Sequence, residues 1–213
     1  MKMTEQIKEL AEENREELVE VLSELIKYRS VTGTDAEKEA VEYLQKKMEE
    51  FDYDEVFTDR IGNVVGKIGN GPKTIVFDAH IDVVDAEKDR WETDPFEPVI
   101  KDGEIYGRGT MDDKGPLSCL LFGGKIIKEL GLAEDYTVYI LGSISEETCE
   151  GLATGFFLEE NDIDADYVVI AEASDLKICR GHRGRALIEA VFTGVPVHAS
   201  RHSEGENPLE KAL

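Results

Sequence analysis

Apolar residues near the start of the chain recur at helical spacing. Ile7, Leu10, Ala11, Leu18, Val21, Leu22, Leu25 and Ile26 fall on one face of a 3.6-residue repeat, which predicts a helix over Thr4–Tyr28. Gly33 interrupts the pattern, and Asp35 caps a second helix to about Phe51, with Ala40, Val41, Leu44 and Met48 turned inward. The period then shortens. Val56-Phe57, Asn63–Ile68 and Ile75–Ile81 read as strands, the second followed by the turn Gly69-Asn70-Gly71-Pro72. Val99–Tyr106 forms a hairpin about Asp102-Gly103. A helix begins near Pro116, favourable in a first turn, and stops at Gly131. Thr137–Ser143 and Asp166–Ala171 are further strands, with a helical stretch, Cys149–Asn161, between them. Strands alternating with helices predict an α/β class: a mixed, mainly parallel twisted sheet flanked by helices.

After Glu172 the pattern changes. Leu176–Cys179 and Ala186–Thr193 read as strands joined by Gly181-His182-Arg183-Gly184-Arg185, and a helix opens at Asn207-Pro208. The expected division is residues 1–179 as one α/β domain and 180–213 as the start of a second, α+β domain. The chain stops at Leu213 with that last helix barely begun, which suggests a truncated product.

Composition narrows the function classes. Hydrophobic residues make up 41% of the 213, enough for a packed core. A formal net charge of −23 sets aside nucleic acid and anionic membranes as partners. Much of the excess, as in Glu12-Glu13 and Glu16-Glu17, reads as a solvated helix face. No apolar run approaches the roughly 20 residues of a membrane helix, and Met1–Arg15 lacks an apolar signal core, so a cytoplasmic protein is expected. Cys119, Cys149 and Cys179 are an odd set without metal-site spacing, expected to be buried, reduced thiols.

Four polar clusters carry the candidate chemistry, each placed where an apolar run or glycine-rich turn ends. They are Phe77-Asp78-Ala79-His80-Ile81-Asp82, Gly107-Arg108-Gly109-Thr110-Met111-Asp112-Asp113, Ser145-Glu146-Glu147 and Val168-Val169-Ile170-Ala171-Glu172. Buried parallel strands deliver their last residues to one sheet edge, so imidazole and carboxylate groups gather there as ligands suited to zinc, cobalt or manganese. His80 and Asp82, two apart, point to the same side, so the carboxylate can steady the ring or sit behind the metal. Alone, the pair would merely terminate a strand. Asp112 divides evenly between a ligand shared by two ions and a helix cap, a job Asp113 could also do. Glu146 and Glu147 are either a solvated acidic turn or a ligand beside a proton acceptor. Glu172 has the same two readings, with Asp175 as a rival. His198, in Val195-Pro196-Val197-His198-Ala199-Ser200, could simply tie a loop, and His182 and His202 have weaker claims.

Taken in order, these clusters make the chain similar to the zinc aminoacylase and carboxypeptidase superfamily, of acetylornithine deacetylase and succinyl-diaminopimelate desuccinylase type. The segments Phe77–Asp82, Gly107–Thr110, Gly123–Lys128 and Arg180–Arg185 most resemble its selenium-metabolism-linked hydrolase branch. The resemblance implies two divalent metal ions. His80 and Glu172 would bind the first, Asp112 would bridge both, and Glu147 would bind the second. Glu146 would be the general base, Asp82 would support His80, and His198 would stabilise the oxyanion in a neighbouring subunit of a homodimer. Asn207 matches an asparagine at the start of the lid helix. The resemblance also places a last histidine ligand beyond residue 213, so the second metal site is incomplete in this chain. Ala173 and His202 stand where proline is common. The implied reaction is hydrolysis of the amide bond of an N-acyl amino acid or small peptide. A metal aminopeptidase and an inactive metal-binding fragment are the alternatives.

Overall fold

The computed structural model describes residues 2–149, 151–181, 183–184 and 186–213. Met1, Glu150, His182 and Arg185 lie outside the described residues, the last two being positions of the glycine- and arginine-rich link. The chain divides into two compact units, Met1–Leu176 and Lys177–Leu213.

The first unit opens with two helices where the spacing predicts one: α1 (Met3–Glu13) and α2 (Arg15–Lys27). Asn14 makes the break. Its Nδ2 donates to Leu10 O at 2.7 Å, and its Oδ1 accepts from Lys125 Nζ at 2.6 Å. Helix α1 buries none of its residues, whereas α2 buries Val21, Leu22, Leu25 and Ile26. Helix α3 (Asp35–Glu50) buries the four apolar positions its spacing marks, plus Glu37.

Strands β1 (Glu55–Thr58), β2 (Val64–Ile68), β3 (Lys73–His80), β6 (Tyr136–Ser143) and β7 (Tyr167–Ile170) make one sheet in the order β1-β2-β6-β3-β7. β3 runs parallel to both β6 and β7, while β1-β2 and β2-β6 are antiparallel, so the sheet is mixed. β4 (Val99–Lys101) and β5 (Glu104–Tyr106) form a separate hairpin. Its turn takes positive φ at Asp102 (54°) and Gly103 (83°), the backbone a tight two-residue connection demands.

Side-chain alternation splits the core. Val64, Ile68, Val138, Ile140, Ala79 and Ile81 pack against Leu25, Leu44, Leu117 and Leu121, from α2, α3 and α4 (Lys114–Glu129). On the other face Val65, Val76 and Leu141 meet Phe157 of α6 (Leu152–Glu160). Full burial of Phe157 contributes on the order of 1.5–3 kcal/mol. A four-residue helix, α5 (Glu146–Cys149), precedes α6, which fills most of the stretch Cys149–Asn161 predicted as helical. The three cysteines are unpaired, but all are exposed where burial was expected, Cys119 on the outward side of α4.

Two strand expectations fail. Leu176–Cys179 and the described residues of Ala186–Thr193 carry no regular structure. A β-branched sequence becomes a strand only when a partner takes its backbone hydrogen bonds. The second unit instead holds a bridge between Val195 and Glu206, a 3-10 turn over Ala199–Glu204, and helix α7 (Pro208–Ala212). Asn207 caps α7, its Oδ1 accepting from Leu209 N at 3.0 Å. Among the described residues, no helix is long and apolar enough to cross a membrane.

Candidate metal centre

Strand geometry explains why distant residues meet. In the registered β3–β7 pairing Asp78 stands opposite Ile170, and two residues further along come His80, the last residue of β3, and Glu172, just past the end of β7. Asp112 arrives from the loop ahead of α4. His80, Asp112 and Glu172 each offer a ligand atom, and those atoms all lie within 4.8 Å of one another. His80 Nε2 is 2.8 Å from Asp112 Oδ1, 3.8 Å from Glu172 Oε1 and 3.9 Å from Glu146 Oε2. His80 is buried, while the Asp112 and Glu172 side chains are 62% and 45% exposed, so the group opens outward.

The imidazole is oriented from behind. Its Nδ1 lies 2.9 Å from the Asp82 backbone oxygen, which can only accept, so Nδ1 carries the proton and Nε2 faces the carboxylates. The Asp82 carboxylate is further off, at 3.5 Å from Nδ1. That carboxylate accepts from Thr32 Oγ1 at 2.6 Å and from the N–H groups of Glu146 and Glu147 at 3.0 and 3.3 Å. Burial opposes its charge, yet the hydrogen bonds from His80, Thr32 and Glu146 hold it below the usual carboxylate range. Thr32 was invisible in the sequence, because a lone threonine after a helix carries no signal.

Excess negative charge dominates the electrostatics. Burial disfavours a charged His80, but Asp82, Asp113 and Asp112 together outweigh it and push the imidazole up to about 10. Burial raises Glu146, with Glu172, Glu147 and Asp82 adding to it and His80 opposing. Glu147 is raised by burial and then by Asp112, while His80 and the Val84 N–H pull the other way. One imidazole facing several carboxylates leaves a charge deficit that a divalent cation fits, and its nitrogen-and-oxygen donor set suits zinc.

Asp113 does not act as the helix cap. Although it sits at the N-cap of α4, its side chain makes no cap bond. Instead its buried Oδ2 accepts from His80 N at 3.1 Å, and burial pushes its carboxyl up to about 8. The Asp112-Asp113 peptide bond is cis. Next to it, fully buried Lys114 donates from Nζ to Leu25 O and Tyr28 O, both at 2.8 Å, tying the ligand loop to the end of α2. His198 belongs to the second unit, where its Nδ1 accepts from Ser200 N at 3.3 Å and caps the 3-10 turn.

The chain is 39% identical over 176 residues to the uncharacterized protein YgeY of Escherichia coli K12, covering 82% of this chain and 44% of that protein. It is 30% identical over 208 residues to a probable succinyl-diaminopimelate desuccinylase of Staphylococcus aureus, covering 94% of this chain and 50% of the relative. It thus spans about half the length of these curated relatives. The M20 family metallo-carboxypeptidase Sso-CP2 of Sulfolobus solfataricus superposes with a TM-score of 0.62 at 26% identity, over 73% of this chain and 37% of the other. Human carnosine dipeptidase 1 shares the fold at a TM-score of 0.66 and 20% identity, over 79% and 41% of the two chains. The model of peptidase family M20/M25/M40 matches residues 76–211, a span holding all four polar clusters, and by that match the chain belongs to this family.

Proposed function

We propose that this chain carries most of the metal-binding machinery of a hydrolase that cleaves the amide bond of an N-acyl amino acid or small peptide. The observation behind this reading is the convergence of His80, Asp112 and Glu172 donors within 4.8 Å, on a chain of a peptidase family. The desuccinylase name of the Staphylococcus aureus relative supports an acyl-amino acid amide as substrate.

His80 and Glu172 would hold one divalent ion, zinc by their chemistry, with cobalt or manganese acceptable. Asp112 and Glu147 would be this chain's ligands toward a second ion. Such ions, when bound, supply Lewis-acid polarisation of a carbonyl and bring the pKa of water down to about 7. Proton movement falls to Glu146. Its burial and its acidic neighbours Glu172 and Glu147 raise its proton affinity, so it can take a proton from the attacking water and return it to the departing amine. Asp82 keeps both sides in register, since it backs His80 and also accepts from the backbone of Glu146 and Glu147. His198 polarises the oxyanion of a neighbouring subunit in a homodimer.

Zinc titration tests the reading. The chain should bind zinc at least about tenfold more tightly than its Asp112→Ala and Glu172→Ala variants. Equal binding by all three would remove the centre and the hydrolase with it. N-acetyl amino acids compared with dipeptide amides as substrates would separate a deacylase from an aminopeptidase.

A further inference from the structure

The backbone between β6 and α5 is held in an unusual way. Ladder bonding ends where Ser143 O accepts from Ile81 N at 2.8 Å. The next four N–H groups in succession then point at side-chain oxygens. Ile144 N donates to Asn63 Oδ1, Ser145 N to Glu37 Oε1 and Glu146 N to Asp82 Oδ1, each at 3.0 Å, and Glu147 N to Asp82 Oδ2 at 3.3 Å. The acceptors come from three separate parts of the chain and are all buried: Asn63 is 0% exposed, Glu37 5% and Asp82 0%.

We propose that Glu37 and Asn63 are positioning residues that set the direction of the Glu146-Glu147 turn; this deepens, and rests on, the reading that those glutamates serve the metal centre. Ser145 has a φ of 57°, a left-handed conformation that a residue with a side chain adopts at a cost and keeps only where its surroundings enforce it. Glu37 and Asp82 enforce it from the two sides. The first N–H groups of a helix lack intrahelical partners, and a four-residue helix such as α5 has little else to anchor it.

Each positioning residue is itself anchored. Asn63 Nδ2 donates to Asp59 Oδ2 at 2.7 Å and to Ala153 O at 3.1 Å, so its amide orientation follows from its partners and its oxygen is left for Ile144. Through Ala153 it also ties the exit of β6 to the start of α6. Glu37 follows Thr34 by three residues, the spacing of a capping box, in which the glutamate would bond the cap residue's own N–H. Here its Oε2 accepts instead from Gly33 N at 2.8 Å, and its Oε1 reaches across to Ser145. A residue that sequence spacing assigns to its own helix thus serves a turn 108 positions away.

The test uses amide hydrogen exchange on the metal-free chain together with zinc affinity. In Glu37→Ala and Asn63→Ala, residues 144–147 should exchange at least about tenfold faster while β6 keeps its protection. Zinc binding should weaken about tenfold, within the range for residues that orient ligands from behind. Glu37→Gln, which keeps one acceptor, should fall between and serves if the alanine variant does not fold. Wild-type exchange at 144–147, or wild-type zinc affinity, in a folded variant would overturn the proposal. Failure of the metal reading looks different: there the parent chain takes up no zinc, or Glu172→Ala binds as well as the parent, and hydrogen exchange alone then decides the positioning role.

Discussion

Replacing Lys114 with methionine should change how the stability of this chain depends on pH. Lys114 is fully buried, and burial brings its pKa from 10.5 down to about 7, with the negative charge of Asp82 opposing. The unfolded chain therefore holds this proton up to about pH 10.5, whereas the folded chain gives it up near pH 7. Between those values the unfolded state binds more protons, so folding stability rises with pH. At about 1.4 kcal/mol per pK unit, the gain from pH 7 to pH 10 is about 3–4 kcal/mol. The Leu25 and Tyr28 carbonyls and the negative end of α2 favour the ammonium, which makes that figure a ceiling. Lys114→Met nearly conserves volume, removes the titration and strands the two carbonyls, at about 1–3 kcal/mol each. Urea unfolding of both metal-free chains at pH 7, 8.5 and 10 measures the effect. The difference in stability should move in favour of the parent by up to about 3–4 kcal/mol across that range. Parallel pH profiles would show that the folded chain keeps Lys114 charged, and would refute the argument.

Two further outcomes follow from the site. Glu146→Gln should keep its zinc while turnover falls by about 10²–10⁴-fold, the usual worth of a general base; loss of zinc would make Glu146 a ligand instead. His80, pushed up to about 10, carries both ring protons at pH 7 in the metal-free chain, so an ion at Nε2 must displace one. Zinc added to a lightly buffered solution should therefore release about one proton per ion from this group, and affinity should weaken as pH falls. Zinc uptake without proton release would exclude Nε2 as the donor.

The sequence made the middle of this fold legible where one physical signal dominated. The runs behind β3, β6 and β7 are rich in β-branched residues and lead into polar ones, which is why the pattern itself puts His80 and Glu172 at strand ends. Asp113 shows the limit. Its neighbours made it a plausible helix cap, and only the approach of the His80 N–H reveals its use. Asn14, Glu37, Asn63 and Lys114 act through contacts with segments 50 or more positions away, which no local period encodes. The expected strands after Glu172 failed for a related reason, since propensity says nothing about whether a partner strand is in place.

β7 is one of the sheet's two edge strands in this chain, and each of its four residues is more than 40% exposed. Its register rests on the ladder to β3 and on Asp166, whose Oδ2 accepts from Thr74 N at 2.8 Å, and a slide by one residue would turn Glu172 to the opposite face from His80. An ion gripped by both residues would pin that alignment as a pin holds a sliding bolt. A cation would then add, from the site, a second hold to the one the ladder supplies.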